Sequence, residues 1–391
     1  MITVEDALAK VLSLAGAVRE EEIDISQGLG RVLAAPVEAR LTQPPFDSAA
    51  MDGYALRRAD LGQTLQVIGE AAAGKPWDGA ATAGTALRIF TGAPVPTGYD
   101  IVVMQENVSR NGDHIQIQAQ NSSVNIRPKG VDFEEHSIFH PRGPLNPRDL
   151  ALIAAMNVDR IRVARRPAVA IIAGGDELVP PGVRPGPGQI VSSNDIAIAA
   201  IAQIAGAEAT RLPIADDSAE SLLDRFSRAA DADLIVTIGG ASVGDHDLIG
   251  KITQQLGMTR EFYKVAMRPG KPLIAGRIGA SAMIGLPGNP VSAIVCAELF
   301  MRPLLCAMQG LPPEARIEEG RLGQDLNPEG DRQHYLRATL DRKQGDTIVT
   351  PLADQDSARL ALLAKADALL IRRAGDPARK AGEPVQFIRL G

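Results

Sequence analysis

Four glycine-rich loops that also carry charged side chains lie within one stretch of about 120 residues. They span 174–177, 239–247, 268–272 and 285–292. Glycines allow backbone N–H groups to approach a phosphate closely, and the start of a following helix favours negative charge. One such loop would be an ordinary strand-to-helix turn. Four of them predict a site for an anionic, phosphorylated ligand, built from Gly174, Gly175, Asp176, Gly239, Gly240, Ser242, Gly244, Arg268, Gly270, Gly288, Asn289 and Ser292.

Acidic side chains in the first two loops have the chemistry of a magnesium site. Glu177, Asp245 and Asp247 offer carboxylate oxygens, and Mg²⁺ typically takes one or two carboxylates together with phosphate oxygens. Any one of these acids could instead only cap a helix. Lys264, Arg268 and Lys271 would supply positive charge to the substrate, and surface salt bridges are the alternative for them.

A covalent nucleophile is not indicated by the sequence. Ser242 has no identifiable His and Asp partners, and His246 lies in a polar loop where a solvated histidine is more common. Cys296 and Cys306 are ten residues apart on one predicted helix, hence about 15 Å apart, which is too far for a disulfide. We therefore expect two free thiols and no structural zinc.

The elements that must position these loops alternate between strands and helices over 167–308. This alternation is typical of a mostly parallel, doubly wound α/β domain, in which ligands bind at the carboxyl ends of the strands. Asn289 and Pro290 have the residue types of a helix start, with Asn289 as the capping side chain. Outside this region we predict a helix at 3–15, capped by Thr3, and another helical stretch at 357–370.

The chain of 391 residues divides, on these patterns, into four domains of an α/β multidomain protein. We predict an elongated, discontinuous linker domain (1–45 and 130–166), an inserted β-domain (46–129), the α/β domain (167–311) and a small C-terminal β-barrel-like domain (312–391).

Composition excludes several classes of protein. Apolar residues make up 45% of the chain, which excludes general disorder. The net charge of −6, without a long basic run, argues against nucleic-acid binding. The apolar runs are too short to span a membrane, and the acidic N-terminal segment does not resemble a signal peptide. We expect a cytoplasmic protein.

Seven segments together resemble the molybdopterin molybdenumtransferases, the family of bacterial MoeA and of the E domains of a plant protein and of gephyrin. The segments are FDSAAMDGYAL, RIFTGAPVPTGYDIVVMQE, GGDEL, SSND, IGGASVGDHD, KVAMRPGKP and IGLPGNPVSA, in the family's order. The resemblance implies insertion of molybdate into adenylylated molybdopterin with Mg²⁺-dependent release of AMP, the last step of molybdenum cofactor biosynthesis. It also implies a homodimer with the active cleft between subunits.

The resemblance also implies functional residues. Its matching positions are Asp52, Thr91, Asp132, Glu177, Asp247, Lys264, Lys271, Pro287 and Pro290, with Arg337 and Ser357 as further contacts for molybdate. Asp52 and Asp132 would reach the cleft from the partner subunit. Glu177 and Asp247 would handle the metal and phosphate.

Several alternatives remain open at this stage. A paralogue could insert tungstate, and a non-catalytic scaffold could retain the fold and bind molybdopterin. An adenylyltransferase would not need the AMDGYA and TGAPVP segments, and a molybdate storage module would not need so many phosphate-type loops. A molybdopterin adenylyltransferase and maturation factors of molybdenum enzymes are possible partners.

Overall fold

The computed structural model describes residues 1–119, 123–239, 248–313 and 317–390. Their contacts divide the chain into two compact units. We call residues 22–163 the insert unit, and residues 1–21 together with 164–391 the main unit. The chain therefore leaves the main unit after its first helix and returns to it.

The first helix, α1 (Val4–Leu12), belongs to the main unit. The Thr3 hydroxyl caps it by accepting a hydrogen bond of 3.0 Å from Asp6 N. The helix is shorter than the predicted 3–15, since Ser13 is its C-cap. Val4 and Val11, on its buried face, pack in the core of the α/β sheet. They are not part of the core formed by the 130–163 segment.

The insert unit is mostly β-structure. Its elements are β1 (Glu20–Asp24), β2 (Val37–Glu38), β3 (Ser48–Ala49), β4 (Gly53–Leu56), β5 (Thr64–Ala71), β6 (Thr85–Ile89), β7 (Ile101–Met104), β8 (Val108–Asn111), β9 (His114–Ile117), β10 (Ile126–Arg127), β11 (Ile138–Phe139), α2 (Pro147–Ala155) and β12 (Arg160–Ala164). A six-stranded sheet in the order β7-β4-β6-β5-β9-β8 forms its centre.

Two features of the insert unit matter below. Ile153 of α2 is fully buried in a core with Leu145 and Met156. Trp77 packs so closely on Gly69 that a Cβ there would lie 2.6 Å from its indole Nε1.

The main unit continues with an α/β region. Its elements are β13 (Ala168–Ala173), β14 (Leu178–Val179), β15 (Ile190–Val191), α3 (Asn194–Ile204), β16 (Glu208–Arg211), α4 (Ala219–Arg228), β17 (Leu234–Ile238), α5 (Leu248–Gln255), β18 (Thr259–Tyr263), β19 (Met267–Arg268), β20 (Ile274–Ile278), β21 (Ser281–Leu286), α6 (Pro290–Cys296) and α7 (Arg302–Met308). A π-helical turn, Ala297–Met301, joins the last two.

The α/β sheet has the order β16-β13-β17-β21-β20-β18, and all its strands except β20 run in one direction. Alternate residues of β13 enter two cores: Val169 and Ile171 pack with α3 and α6, while Ile172 packs with α4 and α5. Helices thus cover both faces, which confirms the predicted α/β class.

A closed barrel completes the main unit. It consists of β22 (Ile317–Leu322), β23 (Gln333–Lys343), β24 (Asp346–Pro351), α8 (Leu360–Leu363), β25 (Ala368–Arg372) and β26 (Pro384–Arg389). The strand order β23-β24-β22-β26-β25 closes because β25 also pairs with β23. The predicted helix at 357–370 is therefore wrong over most of its length.

Among the described residues, one helical stretch, Pro290–Met308, is long and apolar enough to cross a membrane by length and composition. It is 72% buried inside the fold, as expected for a core helix.

Candidate active site

In the first loop, after β13, Gly175 lies directly against the Glu177 carboxylate. Gly175 has a φ of +143°, and a Cβ there would lie 2.2 Å from Glu177 Oε2. Asp176 instead contacts a neighbouring loop: its Oδ1 accepts a hydrogen bond of 2.9 Å from Asp217 N. Glu177 is thus the carboxylate of this loop that lines the cleft described next.

A cleft of about 120 Å³ lies at the carboxyl ends of β13 and β17. Its walls include backbone and side-chain groups from four segments, among them Gly174, Glu177, Ser193, Asn194, Gly239, Gly288 and Pro290. The Asn194 side chain donates a hydrogen bond of 2.7 Å to the Gly288 carbonyl oxygen and so joins two of these segments. We did not predict Ser193 and Asn194 as site residues, although the Ser-Ser-Asn-Asp segment was a visible signal.

Only the start of the second loop is described. Gly239 has a φ of +85° and donates a hydrogen bond of 3.1 Å to Leu286 O. A Cβ on Gly288 would be 3.6 Å from the Cα of Gly239, so the second and fourth loops are adjacent. The remaining predicted residues of this loop lie outside the described residues: Gly240, Ser242, Gly244, Asp245, His246 and Asp247.

The third loop connects β18 to β20 at the same edge of the sheet. Lys264 has a φ of +76°, which is unusual for a residue other than glycine, and its Nζ lies 5.1 Å from the centre of the Tyr263 ring. Gly270 leaves no room for a side chain, since a Cβ would be 2.4 Å from Cys296 Sγ. Such a tightly packed loop holds Lys264, Arg268 and the exposed Lys271 in fixed backbone positions.

The N-terminal residues support this third loop. Ala266 N donates a hydrogen bond of 2.8 Å to Ile2 O, and Ile2 N donates one of 3.4 Å to Lys264 O. Ile2 therefore pairs with the loop beside Val265 as a one-residue bridge.

The fourth loop corrects one prediction. Pro290 begins α6 and Asn289 occupies the cap position, but the Asn289 side chain makes no capping hydrogen bond. Its Nδ2 instead donates to Ser357 Oγ over 3.3 Å, and Val291 N donates to Ser357 O over 3.2 Å. The amide therefore connects this loop to the barrel. Pro287 and Ser292 are buried beside it.

The barrel also brings Arg337 to this edge. β19 pairs in parallel with β23, placing Arg268 opposite His334. Arg337 is only 1% exposed, and its Nε has no partner within the described part of the chain. Burial lowers the pKa of Arg337, Arg268 adds to this lowering, and Asp354 and Asp356 oppose it. A bound anion would relieve both the unpaired donor and the repulsion between the arginines.

A glutamine holds the Arg337 backbone in place. Gln355 Oε1 accepts a hydrogen bond of 3.0 Å from Arg337 N, and its Nε2 donates to Arg337 O over 3.0 Å. Gln355 was visible in the tail segment of the sequence, but we did not predict it as a site residue.

Within the insert unit, Asp52 is oriented by Thr91. Its Oδ1 accepts hydrogen bonds from Thr91 N over 2.8 Å and from Thr91 Oγ1 over 2.7 Å. These bonds, and the charge of Arg88, hold the pKa of the carboxyl below its usual range. Arg88 is itself fixed, because it stacks on Phe90 at 4.5 Å and donates to Gly53 O over 3.0 Å. Asp132 is exposed, and its N–H donates to Gln43 O over 3.1 Å.

The described part of the site contains one predicted metal ligand, and the two cysteines of the chain are free thiols. No group of three or more His, Cys, Asp or Glu side chains that could hold a metal occurs among the described residues. Glu177 is the one predicted metal ligand in that part of the chain. Burial raises the pKa of Cys296, and that of Cys306 to a smaller degree, so neither thiol is activated.

Three family models, all of molybdenum cofactor biosynthesis proteins, together match most of the chain. The MoeA N-terminal region (domain I and II) matches residues 2–157, a probable molybdopterin binding domain matches 170–307, and the MoeA C-terminal region (domain IV) matches 319–390. A molybdopterin molybdenumtransferase of Nostoc sp. is 34% identical, covering 95% of this chain and 88% of the relative. Molybdopterin molybdenumtransferase 2 of Mycobacterium tuberculosis is 37% identical, covering 89% of this chain and 90% of its own length.

A solved structure of a MoeA protein has the same fold over the full length of the chain. The molybdopterin biosynthesis MoeA protein from Pyrococcus horikosii superposes with a TM-score of 0.85 at 30% identity, covering 100% of this chain and 99% of that chain. Similarity of this extent spans both units and all four glycine-rich loops. The chain therefore belongs to the molybdopterin molybdenumtransferase family, transferase enzymes of molybdenum cofactor biosynthesis.

Proposed function

We propose that the chain inserts molybdate into adenylylated molybdopterin and releases AMP in a Mg²⁺-dependent step. The observation that carries this proposal is the meeting of two loops of the α/β sheet with Arg337 and Ser357 of the barrel. Within the described residues, that edge combines the Arg337 guanidinium, whose Nε has no partner, with hydroxyl and amide groups and a cleft lined by glycine. A tetrahedral oxyanion and a phosphorylated pterin both require such donors.

The residues divide between the two parts of the substrate pair. Backbone groups of Gly174, Gly175, Gly239 and Gly288 would contact the phosphates of the nucleotide-linked pterin. Arg268, Lys271, Arg337 and Ser357 would contact molybdate. Lys264, in the same loop as Arg268 and Lys271, would neutralise developing charge.

Glu177, Asp245 and Asp247 have the carboxylate oxygens that Mg²⁺ prefers. Glu177 contributes a carboxylate oxygen, and we expect Asp245 and Asp247 to add two more, which gives an all-oxygen set. Bound Mg²⁺ would neutralise phosphate charge. Cleaving a phosphoanhydride needs positioned groups and charge neutralisation rather than a protein nucleophile. Water attacks one phosphorus of the anhydride and the bridging P–O bond breaks. The products are AMP and the phosphorylated pterin, and a proton passes to solvent.

The second subunit of a homodimer is part of this proposal. Asp52 and Asp132 of the insert unit would reach the cleft of the partner subunit. A molybdopterin adenylyltransferase would supply the substrate, and maturation factors of molybdenum enzymes would receive the product. Neither nucleic acid nor membrane is required.

The decisive experiment is a reconstituted assay. The purified chain is mixed with adenylylated molybdopterin, molybdate and Mg²⁺, and AMP release and active cofactor are measured. Asp247→Ala should abolish both products. Asp231→Ala, an exposed acid of the same unit, serves as the matched control and should retain them. Normal turnover by Asp247→Ala would contradict the proposed role.

A parallel assay with tungstate decides the main alternative. Preferential formation of a tungsten product would indicate a tungstate-inserting paralogue. Binding of molybdopterin without AMP release would indicate a scaffold that retains the fold.

A further inference from the structure

A second cavity, of about 310 Å³, lies at one end of the C-terminal barrel, within the size range of ligand sites. Its lining includes three arginines, Arg372, Arg373 and Arg379, together with Glu319 and Asp376. The arginines outnumber the carboxylates, in a chain whose net charge is −6. None of these residues belongs to the candidate active site.

Arg337 and Arg372 lie on opposite faces of the barrel wall. Arg337 pairs with Leu369, which packs into the core shared with the α/β sheet. Arg372 pairs with His334 and has the same parity along β25 as Leu370, which packs inside the barrel. Because side chains alternate across a strand, Arg337 and Arg372 point to different sides.

Arg372 is a buried cation with unused donors. It is 1% exposed. Its Nη2 donates to Asn327 O over 3.1 Å and to Pro377 O over 2.8 Å, and its Nε donates to Asp376. Its Nη1 has no partner in the part of the chain that the structure describes. An unpaired buried donor on a charged group is costly, so a ligand that accepts from it would be stabilised.

The one carboxylate close to Arg372 is already shared. Asp376 accepts from Arg372 and also from Arg379, whose Nη2 lies 2.8 Å from Asp376 Oδ1. Burial alone would raise the pKa of Asp376, but these two arginines outweigh it and keep the pKa low. Arg379 also has a second carboxylate partner, since its Nη1 lies 3.4 Å from Glu383 Oε2. Asp376 and Glu383 together therefore compensate Arg372 and Arg379, and Arg373 is the lining arginine that has no carboxylate partner among the described residues.

We propose that this cavity binds a phosphate-type oxyanion through Arg372 and Arg373. Arg373 is exposed at the cavity and forms no ion pair among the described residues, so its guanidinium is available to a ligand. Glu319, also exposed, is the lining carboxylate without an arginine partner in the described chain, and it repels an anion. Substituting Arg373 should therefore weaken anion binding, and substituting Glu319 should strengthen it.

The test measures binding of inorganic phosphate to the full-length protein by titration calorimetry at constant ionic strength. We expect Arg373→Gln to weaken binding about tenfold, which is the loss expected for one charge-assisted hydrogen bond. Glu319→Gln should strengthen binding severalfold, since a repulsive charge is removed. Arg342→Gln, an exposed arginine on another part of the barrel, should leave binding unchanged.

A further comparison separates this site from the candidate active site. Arg373→Gln should retain AMP release with an unaltered KM for molybdate. When Ser357→Ala is already present, adding Glu319→Gln should still strengthen phosphate binding. Arg372→Lys, which keeps the charge but loses Nη1, should also weaken binding. The proposal is overturned if wild-type protein binds no phosphate, if the Arg373 and Glu319 variants bind it like wild type, or if Ser357→Ala removes all binding.

Discussion

At the scale of single residues, Asp52 shows how one neighbour sets a charge. The backbone N–H and the hydroxyl of Thr91 both stabilise its carboxylate form. We expect Thr91→Val to raise the pKa of Asp52 part of the way to its ordinary value, because only the hydroxyl bond is lost. A carboxyl-resolved NMR titration measures this shift.

The pH dependence of stability follows from the same bonds. A lowered carboxyl pKa contributes stability above the ordinary pKa, and this contribution is lost as the pH falls through the folded-state value. In Thr91→Val the contribution should be smaller, and its loss should be complete at a higher pH. Thr64→Val, an exposed threonine on β5, is the control and should leave the Asp52 titration unchanged. An unaltered titration in Thr91→Val would show that the hydroxyl does not matter.

Ser357 gives a second residue-scale prediction. Its hydroxyl contacts Asn289, and its carbonyl anchors the start of α6. Ser357→Ala removes only the hydroxyl, so we expect the KM for molybdate to rise, by about tenfold at most for one neutral hydrogen bond, while the fold is kept. Steady-state AMP release at varied molybdate measures it. Ser227→Ala, on the exposed face of α4, should have no effect, and an unchanged KM in Ser357→Ala would exclude this contact.

The residue scale also shows where sequence reasoning stops. Local chemistry placed Asn289 and Pro290 at a helix start, and that position is confirmed. The side chain of Asn289 nevertheless bonds to Ser357, which lies 68 residues away along the chain. A local pattern contains no information about such a partner, so the capping bond was wrongly predicted and the contact was missed.

At the scale of elements, the first loop depends on the absence of a side chain at Gly175. Its positive φ and the nearby Glu177 carboxylate both exclude a Cβ. We expect Gly175→Ala to destabilise the fold by about 1–3 kcal/mol and, by displacing Glu177, to raise the Mg²⁺ concentration needed for half-maximal AMP release. Thermal unfolding and a Mg²⁺ titration measure the two effects.

The adjacent glycine provides a matched control for this element. At Gly174 the nearest atom to an added Cβ is 3.6 Å away, which is ordinary contact. Gly174→Ala should therefore be tolerated. Equal losses in the two variants would mean that the loop is sensitive to any added atom rather than to the conformation of Gly175.

Helices and strands were predicted correctly where the apolar residues recur with a regular spacing along the sequence. The fully buried runs of β13 and β17 alternate with amphipathic helices, and the sheet forms as expected. The segment at 357–370 is rich in Ala and Leu and therefore has a helical composition. It becomes strand over Ala368–Arg372 because β25 pairs on both sides to close the barrel. That pairing is non-local and overrides propensity.

At the scale of the whole molecule, the two units have separate cores. Ile153 lies in the core of the insert unit, and Ile172 lies in that of the main unit, both fully buried. We expect Ile153→Ala to cost about 2–5 kcal/mol and to lower the unfolding temperature of the insert unit selectively. Calorimetry combined with hydrogen exchange measures this, and Ile172→Ala should affect the other unit. A single shared transition in both variants would contradict separate cores.

The four-domain division remains a prediction beside this two-unit description. Sequence patterns separate regions by their local period, whereas contacts group the barrel with the α/β sheet through the β19–β23 pairing and the Ser357 contacts. Only the folded chain brings those segments together.

Trp77 is the single tryptophan of the chain, and it lies within the insert unit. Its close packing on Gly69 means that its surroundings change as soon as that unit loosens. Tryptophan emission is therefore a natural optical reporter for one half of the molecule, with no label required. The main unit, which contains Tyr263 and Tyr335, is silent under selective tryptophan excitation. Stopped-flow fluorescence would time the response of the insert unit when substrate is added.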